Sequence, residues 1–365
     1  MDGGGPGEAL HRPSVAAPAP VVKRATLNRR AGQVMVAPRQ RGPAMDQITH
    51  FFAAQPPALL WGLGGVLGVL TIAVAVSALV PMLKPGGDFT NLRQRIASWW
   101  VMIALIAAAL LAGWEATTAL FAVISFIALR EFLSLAPIRP EDRPIVLFAY
   151  LTIPISYGFV ATGDYGFYLV FVPVYAFLFV PFLMACIGQT RSYLTTAATF
   201  HWAIVTCVYN IGFAAYLMQT PRSEPLPAGP AGMVFFLLVA TEVNDVAQYC
   251  WGKTLGRRKI MPKVSPNKTW EGFLGGWATT AALVWFLGPF FLPISGLGLA
   301  TLAVFLPIAG FAGDVTMSAI KRDIGVKDTS RLIPGHGGLL DRIDSLTFTA
   351  PLFFHIVAFF GIASY

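Results

Sequence analysis

The sequence predicts an all-α, polytopic integral membrane protein: about ten transmembrane helices around a polar cavity that faces the cytoplasm. Three observations predict it. The 365 residues are 56% hydrophobic and only 12% charged, against about a quarter charged in an ordinary soluble domain. Several apolar runs approach or exceed the ~20 residues that span a bilayer. These runs lack apolar–polar alternation and are too long for barrel strands, so they are helices.

Residues 1–45 are rich in Gly, Pro, Ala and Arg without an apolar period, and read as a disordered basic tail. They make a poor signal peptide, because no apolar region directly follows their bases; Met45 offers an alternative start. The first run is 58–83, and Lys84 to Arg95 is a short basic linker. Residues 97–135 would be about 58 Å long as one helix, too long for a ~30 Å core. They read as a pair of spans broken near Gly113-Trp114-Glu115. Runs follow at 144–162, 165–188 and 196–218, separated from their neighbours by Pro-rich linkers at 136–143 and 219–229. Next come 230–251, a basic loop at 252–268, then 270–292, 295–319 and 346–364. The chain thus divides into the tail 1–45, N-terminal helices in 46–229 and a C-terminal membrane domain, 230–365, into which the charged segments discussed below as catalytic fall. No internal repeat supports a transporter built on inverted halves. Cys186, Cys207 and Cys250 lie in or at the ends of apolar runs without metal spacing, and read as small buried hydrophobes.

Net charge is +8, of which residues 1–45 supply +5, as seven bases against Asp2 and Glu8, leaving +3 for the rest. Positive charge so placed marks loops and anionic lipid, not nucleic acid. The loop 252–268 carries Lys253, Arg257, Arg258, Lys259, Lys263 and Lys268. The segment 320–345 is also basic and two spans away, so both loops face one side, which the positive-inside rule makes the cytoplasmic side of the inner (plasma) membrane. Counting back puts the N-terminus outside, against the charge of its own tail.

Charge inside the apolar runs is where chemistry is expected. Glu242, Asn244, Asp245 and Gln248 fall within one span, where polar groups line a functional cavity or hydrogen-bond between helices. The loop 252–268, with Ser265 and Lys268, has the glycines, hydroxyls and cations that suit a polyphosphate, without a Walker motif. The densest stretch runs from Asp314 to Asp344. It holds five acids (Asp314, Asp323, Asp328, Asp341, Asp344) and five bases (Lys321, Arg322, Lys327, Arg331, Arg342). Asp314, Ser318 and Lys321 form one helical stripe, and Asp341 and Asp344 share a face of the next helix. Carboxylates on two helix ends can converge on Mg²⁺, which takes few carboxylates and fills its other positions with water and phosphate oxygens. The turn Pro334 to Gly338 carries His336 among glycines that let backbone approach a ligand. Together these are the parts of Mg²⁺-dependent phosphoryl or nucleotidyl transfer. A solvated loop of ion pairs is the plainer alternative. An ion-coupled transporter would use Glu242 and Asp245, but leaves the Gly-rich basic loop unexplained.

The run Ser318-Ala-Ile-Lys321-Arg322, Lys327-Asp328, Ser330, Ile333-Pro334, His336-Gly337-Gly338 and Asp341-Arg342-Ile343-Asp344 resembles the signature of the phosphatidate cytidylyltransferases, the CDP-diacylglycerol synthases. The resemblance covers 318–344 without departure and extends upstream to Ser265–Gly272 and Asn244-Asp245. It reaches the N-terminal half only as a pattern of spans, including Arg130-Glu131 at a span end. TEVNDVAQYCWGK and GRRK look most like a bacterial branch of that family. The resemblance implies that CTP and phosphatidate give CDP-diacylglycerol and pyrophosphate, with Mg²⁺ and a second, monovalent cation, K⁺. It implies Asp314 and Asp341 as metal ligands, with Asp344 a ligand or a partner of Arg342. Ser318, Lys321, Arg322, Lys327 and Arg342 would handle phosphates, and Asp328 joins the catalytic set. His336 would donate to phosphate or shape its turn. Asn244, Asp245, Ser265 and Lys268 would line the nucleotide or headgroup side. Cytidylyl transfer to another lipid phosphate stays open. Gly64, Gly65 and Gly68 suit packing within the chain or across a homodimer.

Overall fold

A computed structural model describes residues 50–83, 89–188, 190–220, 226–335 and 337–362. The tail 1–45 and His336 lie outside the described residues. Among the described residues, ten helices are long and apolar enough to cross a membrane. They are α1 (Pro57–Leu79), α2 (Thr90–Ala112), α3 (Trp114–Leu135), α4 (Pro140–Thr162) and α5 (Tyr165–Cys186), then α6 (Tyr193–Gln219), α7 (Gly229–Thr254), α8 (Trp270–Phe291), α9 (Gly296–Ile324) and α10 (Leu340–Gly361). The protein is a multi-pass, all-α membrane protein, as expected.

The boundaries have local causes. Gly113, at φ 114°, ends α2 and begins α3 in a conformation that favours glycine. Pro230 opens α7, where its missing N–H costs nothing. The hydroxyl of Thr269 caps α8 by accepting from the Gly272 N–H. Inside α5 and α6 the turns Phe171–Ala176 and Val205–Tyr209 widen into π-helix; Pro173 withholds an N–H from the first.

Three features depart from the expected layout. Helix α9 continues to Ile324, beyond the apolar run, and closes on left-handed Gly325, whose N–H bonds the Arg322 and Lys321 carbonyls. Helix α10 begins at Leu340, before its apolar run starts at 346. Hydropathy falls where charged side chains appear, but the ladder of α9 does not stop there, and α10 is broken only by a turn at Asp344-Ser345, between Leu340–Ile343 and Leu346–Gly361. The loop 252–268 folds into an antiparallel hairpin of β1 (Lys259–Met261) and β2 (Ser265–Thr269). Of the cysteines, only Cys207 is buried; Cys186 and Cys250 are exposed on membrane helices, contrary to expectation.

A core of aliphatic and aromatic side chains, including Phe200, Phe213, Tyr216, Phe236 and Phe353, ties α6, α7 and α10 together. Helices α7 and α8 approach closely at Gly272 and Gly276. A Cβ on Gly276 would stand 2.9 Å from the Gln248 backbone nitrogen. This contact brings the polar face of α7 against α8 and α9. The starts of α2 and α10 and the ends of α3, α7 and α9 meet on one side of the bundle, joined by the hydrogen bonds described next.

Candidate active site

Strand β2 rests on α7, α8 and α9 and ends near Lys268. The Lys268 ammonium lies 2.6 Å from an Asp314 carboxylate oxygen and donates to the Gln248 side-chain oxygen at 3.1 Å. The Ser318 hydroxyl donates to the other oxygen of Asp314 at 3.3 Å. One turn further, the buried Lys321 ammonium donates to Asp341 Oδ1 at 2.7 Å. The stripe Asp314, Ser318, Lys321 is therefore one inward face of α9. It meets the hairpin at one end and α10 at the other.

Two carboxylates hold the signature loop. Asp341 Oδ2 accepts from Thr329 N at 2.8 Å, Thr329 Oγ1 at 3.0 Å and Gly338 N at 3.0 Å. Glu131, at the end of α3 and 6% exposed, accepts from the hydroxyls of Thr329 (3.2 Å) and Ser330 (2.7 Å). It also accepts from the backbone N–H groups of Leu339 (3.0 Å) and Leu340 (2.8 Å). It thereby caps α10, whose first N–H groups would otherwise lack partners. Gly338 passes so close to Thr329 and Glu131 that a Cβ there would collide with both. From the other side, Arg95 Nε donates to the Gly335 carbonyl (2.9 Å) and Ser98 Oγ to the Pro334 carbonyl (3.0 Å).

Behind the loop lies a cluster of acids. Asp344, 8% exposed, is within electrostatic reach of Asp314, Asp245 and Lys321. Asp245 feels Lys268, Asp314 and Glu242, and Glu242 feels Arg342 and Asp344. One oxygen of Asp245 and Nε of Arg342 are buried without a hydrogen-bond partner among the described residues. Such atoms are costly unless a ligand or ion completes them. Among the described residues no three His, Cys, Asp or Glu side chains converge in a metal-binding arrangement. Mg²⁺ needs only one or two carboxylates, and the partnerless oxygen of Asp245 beside Asp314 and Asp344 has the chemistry for it.

In front of the loop is a cavity of about 540 Å³. Arg95, Lys327, Arg331 and Arg342 line it, with Asn91, Asp328 and Ser330. Arg342 thus faces the cavity and acts on the acid cluster, making it the link between the two.

The remaining expected residues are placed as follows. Lys327 and Asp328 are in the cavity wall. Arg322 is exposed and donates to the Val326 carbonyl at 2.9 Å, closing the end of α9. Asn244, 1% exposed, has both ends of its amide in use, donating to the Pro307 carbonyl and accepting from Thr280. It ties α7, α8 and α9 and does not face the cavity. Ser265 pairs with Met261 at the far end of the hairpin. Among the described residues no side-chain hydrogen bond links Ser265 to the cluster. Glu131, Thr329, Arg95, Ser98 and Asn91 were not expected in the site. Of these, only Arg130-Glu131 had been marked, as a pattern at a span end.

Fold and site together define an integral membrane protein with a one-sided polar centre of carboxylates and cations. The family model described as "Cytidylyltransferase family" matches residues 93–360. The chain belongs to the cytidylyltransferase family. It is 40% identical over 276 residues to "Uncharacterized protein YnbB" of Escherichia coli (strain K12), a match covering 76% of this chain and 89% of that one. It is 38% identical over 154 residues to the "Phosphatidate cytidylyltransferase" of Brucella suis, covering 42% of this chain and 56% of that one. With the enzyme of the same name from Staphylococcus haemolyticus it shares 31% identity over 240 residues, 65% of this chain and 88% of the other. The chain thus spans just over half of the Brucella enzyme.

Proposed function

We propose that this protein transfers the cytidylyl group of CTP to phosphatidate, giving CDP-diacylglycerol and pyrophosphate for phospholipid synthesis. On this reading it works at the cytoplasmic face of the inner membrane. The observation that carries the proposal is the position of Arg342, between the acid cluster around Asp344 and a cationic cavity large enough for phosphate groups. A lipid phosphate oxygen attacks the α-phosphorus of CTP, the bond to the α–β bridging oxygen breaks, and pyrophosphate leaves. Phosphatidate arrives already anionic, so the obstacle is repulsion between the two phosphates more than deprotonation. Lys327, Arg331 and Arg342 screen that repulsion and hold charge on the leaving group, which is electrostatic catalysis. Lys321 keeps Asp341, and through it the Thr329–Gly338 backbone, in place beneath the phosphates.

Mg²⁺, when bound, would neutralise phosphate oxygens and orient them for in-line attack. Asp314 and Asp344, with Asp245 beside them, are the residues suited to hold it. Asp341 suits the role less well, because four donors already engage its two oxygens.

The test is direct. Purified protein in detergent, given CTP, phosphatidate and Mg²⁺, should release pyrophosphate, and Asp314→Ala should lose roughly a hundredfold or more of that activity. Full activity in Asp314→Ala removes the metal assignment. Absence of any CDP-lipid removes the reaction. Cytidylyl transfer to a different lipid phosphate is the second reading, since the relative matched along most of its length, YnbB, carries no substrate in its name. Identifying the CDP-lipid formed from a mixed lipid extract decides between them.

A further inference from the structure

The cationic cavity is not built from the signature loop alone. Helix α2 supplies Asn91 and Arg95 to its wall. Arg95 sits where α2 enters the membrane, since an apolar run begins directly after it. Arginines at that depth lie at headgroup level. Its Nε is engaged by the Gly335 carbonyl, which fixes the guanidinium and leaves the donors on its two terminal nitrogens for a ligand. A guanidinium held in this way presents a fork matched to a phosphate.

Helix α2 is also the least buried of the ten, with 11% of its apolar window covered. Val101 and Leu105 are exposed along it, about 9 and 15 Å below Arg95 by the helical rise. One end of this helix therefore offers a fixed cation at a polar cavity, and the rest offers uncovered apolar surface at bilayer depth. This is the layout for a molecule with a phosphate head and acyl chains. A nucleotide triphosphate has no use for the apolar half.

We infer that the cavity mouth is the lipid-phosphate subsite, and that Arg95 receives the phosphomonoester of the lipid from the bilayer side. The assignment rests on the lipid-phosphate reading above, but it is tested by binding and does not require turnover. The full chain, purified in micelles, is titrated with dioctanoyl phosphatidate, with dioctanoylglycerol as the phosphate-free control, and separately with CTP. Arg95→Gln should weaken phosphatidate binding roughly tenfold, the scale of one charge-assisted contact, and leave CTP binding intact. Arg95→Lys, which keeps the charge, should recover part of the loss. Ser98→Ala loosens the same turn without removing charge, and should change phosphatidate binding far less. An unchanged phosphatidate affinity in Arg95→Gln overturns the assignment. So does an equal loss of CTP binding, or a Ser98→Ala variant that reproduces the full effect, since either marks a structural role. If phosphatidate binds through Arg95 but no CDP-lipid forms, the subsite stands and the proposed reaction fails.

Discussion

Glu131 shows how much one side chain can organise. Its carboxylate takes two backbone N–H groups and two hydroxyls from residues about 200 positions away. Nothing else among the described residues accepts from Leu339 and Leu340. Removing the carboxylate strands buried donors, each costing about 1–3 kcal/mol, though such costs do not simply add. Glu131→Ala should therefore destabilise the loop by about 3 kcal/mol or more. Glu131→Gln should fall between it and wild type, because only one of its two heteroatoms can accept. The measurement is amide exchange at Leu339 and Leu340. If both remain protected in Glu131→Ala, Glu131 is not what holds the loop. Asp341 raises a parallel point. Expected as a metal ligand, it also accepts from Lys321, Thr329 and Gly338. Its loss should collapse the loop even where Mg²⁺ is absent.

Among the elements, the pairing of α7 with α8 decides where Lys268 goes. Gly272 and Gly276 form a small-xxx-small face. It seats against Gln248 and Gly252, with a Cβ on Gly272 only 2.8 Å from the Gln248 carbonyl and 2.9 Å from the Gly252 Cα. Gln248 is also the residue whose side chain receives Lys268. Any residue larger than glycine here must push the helices apart and carry Gln248 away from the hairpin. Gly276→Leu should cost about 1–3 kcal/mol of stability as an overpacked contact, and should reduce CDP-lipid formation further than that loss explains. Ala282→Leu, at an exposed position on the same helix, should change neither. Thermal melts and turnover measured side by side decide the matter: equal activity in both variants would show that the helix spacing does not position Lys268.

At the scale of the whole molecule, local signals and long-range ones were not equally legible. The ten spans could be read from run lengths, because bilayer thickness fixes the length of an apolar helix regardless of what it packs against. The stretch from Asp314 to Asp344 stood out because charge in an apolar chain is costly. Arg95 and Ser98 did not stand out, each being one polar residue in the first turns of a helix, and Glu131 was marked only as part of a family pattern at a span end, with no partner named. Their meaning lies in partners more than 190 positions away, and apolar periodicity carries no record of such pairs. These long-range pairs cross the boundary between 46–229 and 230–365. The second part contains the acid cluster and the signature loop, but the groups that hold that loop in shape come from the first. Residues 230–365 made alone should insert as helices and yet give no turnover, with rapid exchange across Thr329–Leu340. Co-expression with 46–229 as a separate chain should restore both activity and protection, because the clamps act through hydrogen bonds and not through the connecting linker. A combination of Ser98→Ala and Glu131→Gln in the first chain should then undo the rescue. If 230–365 alone proves active, the N-terminal helices serve anchoring only, and the clamps seen here have no part in catalysis.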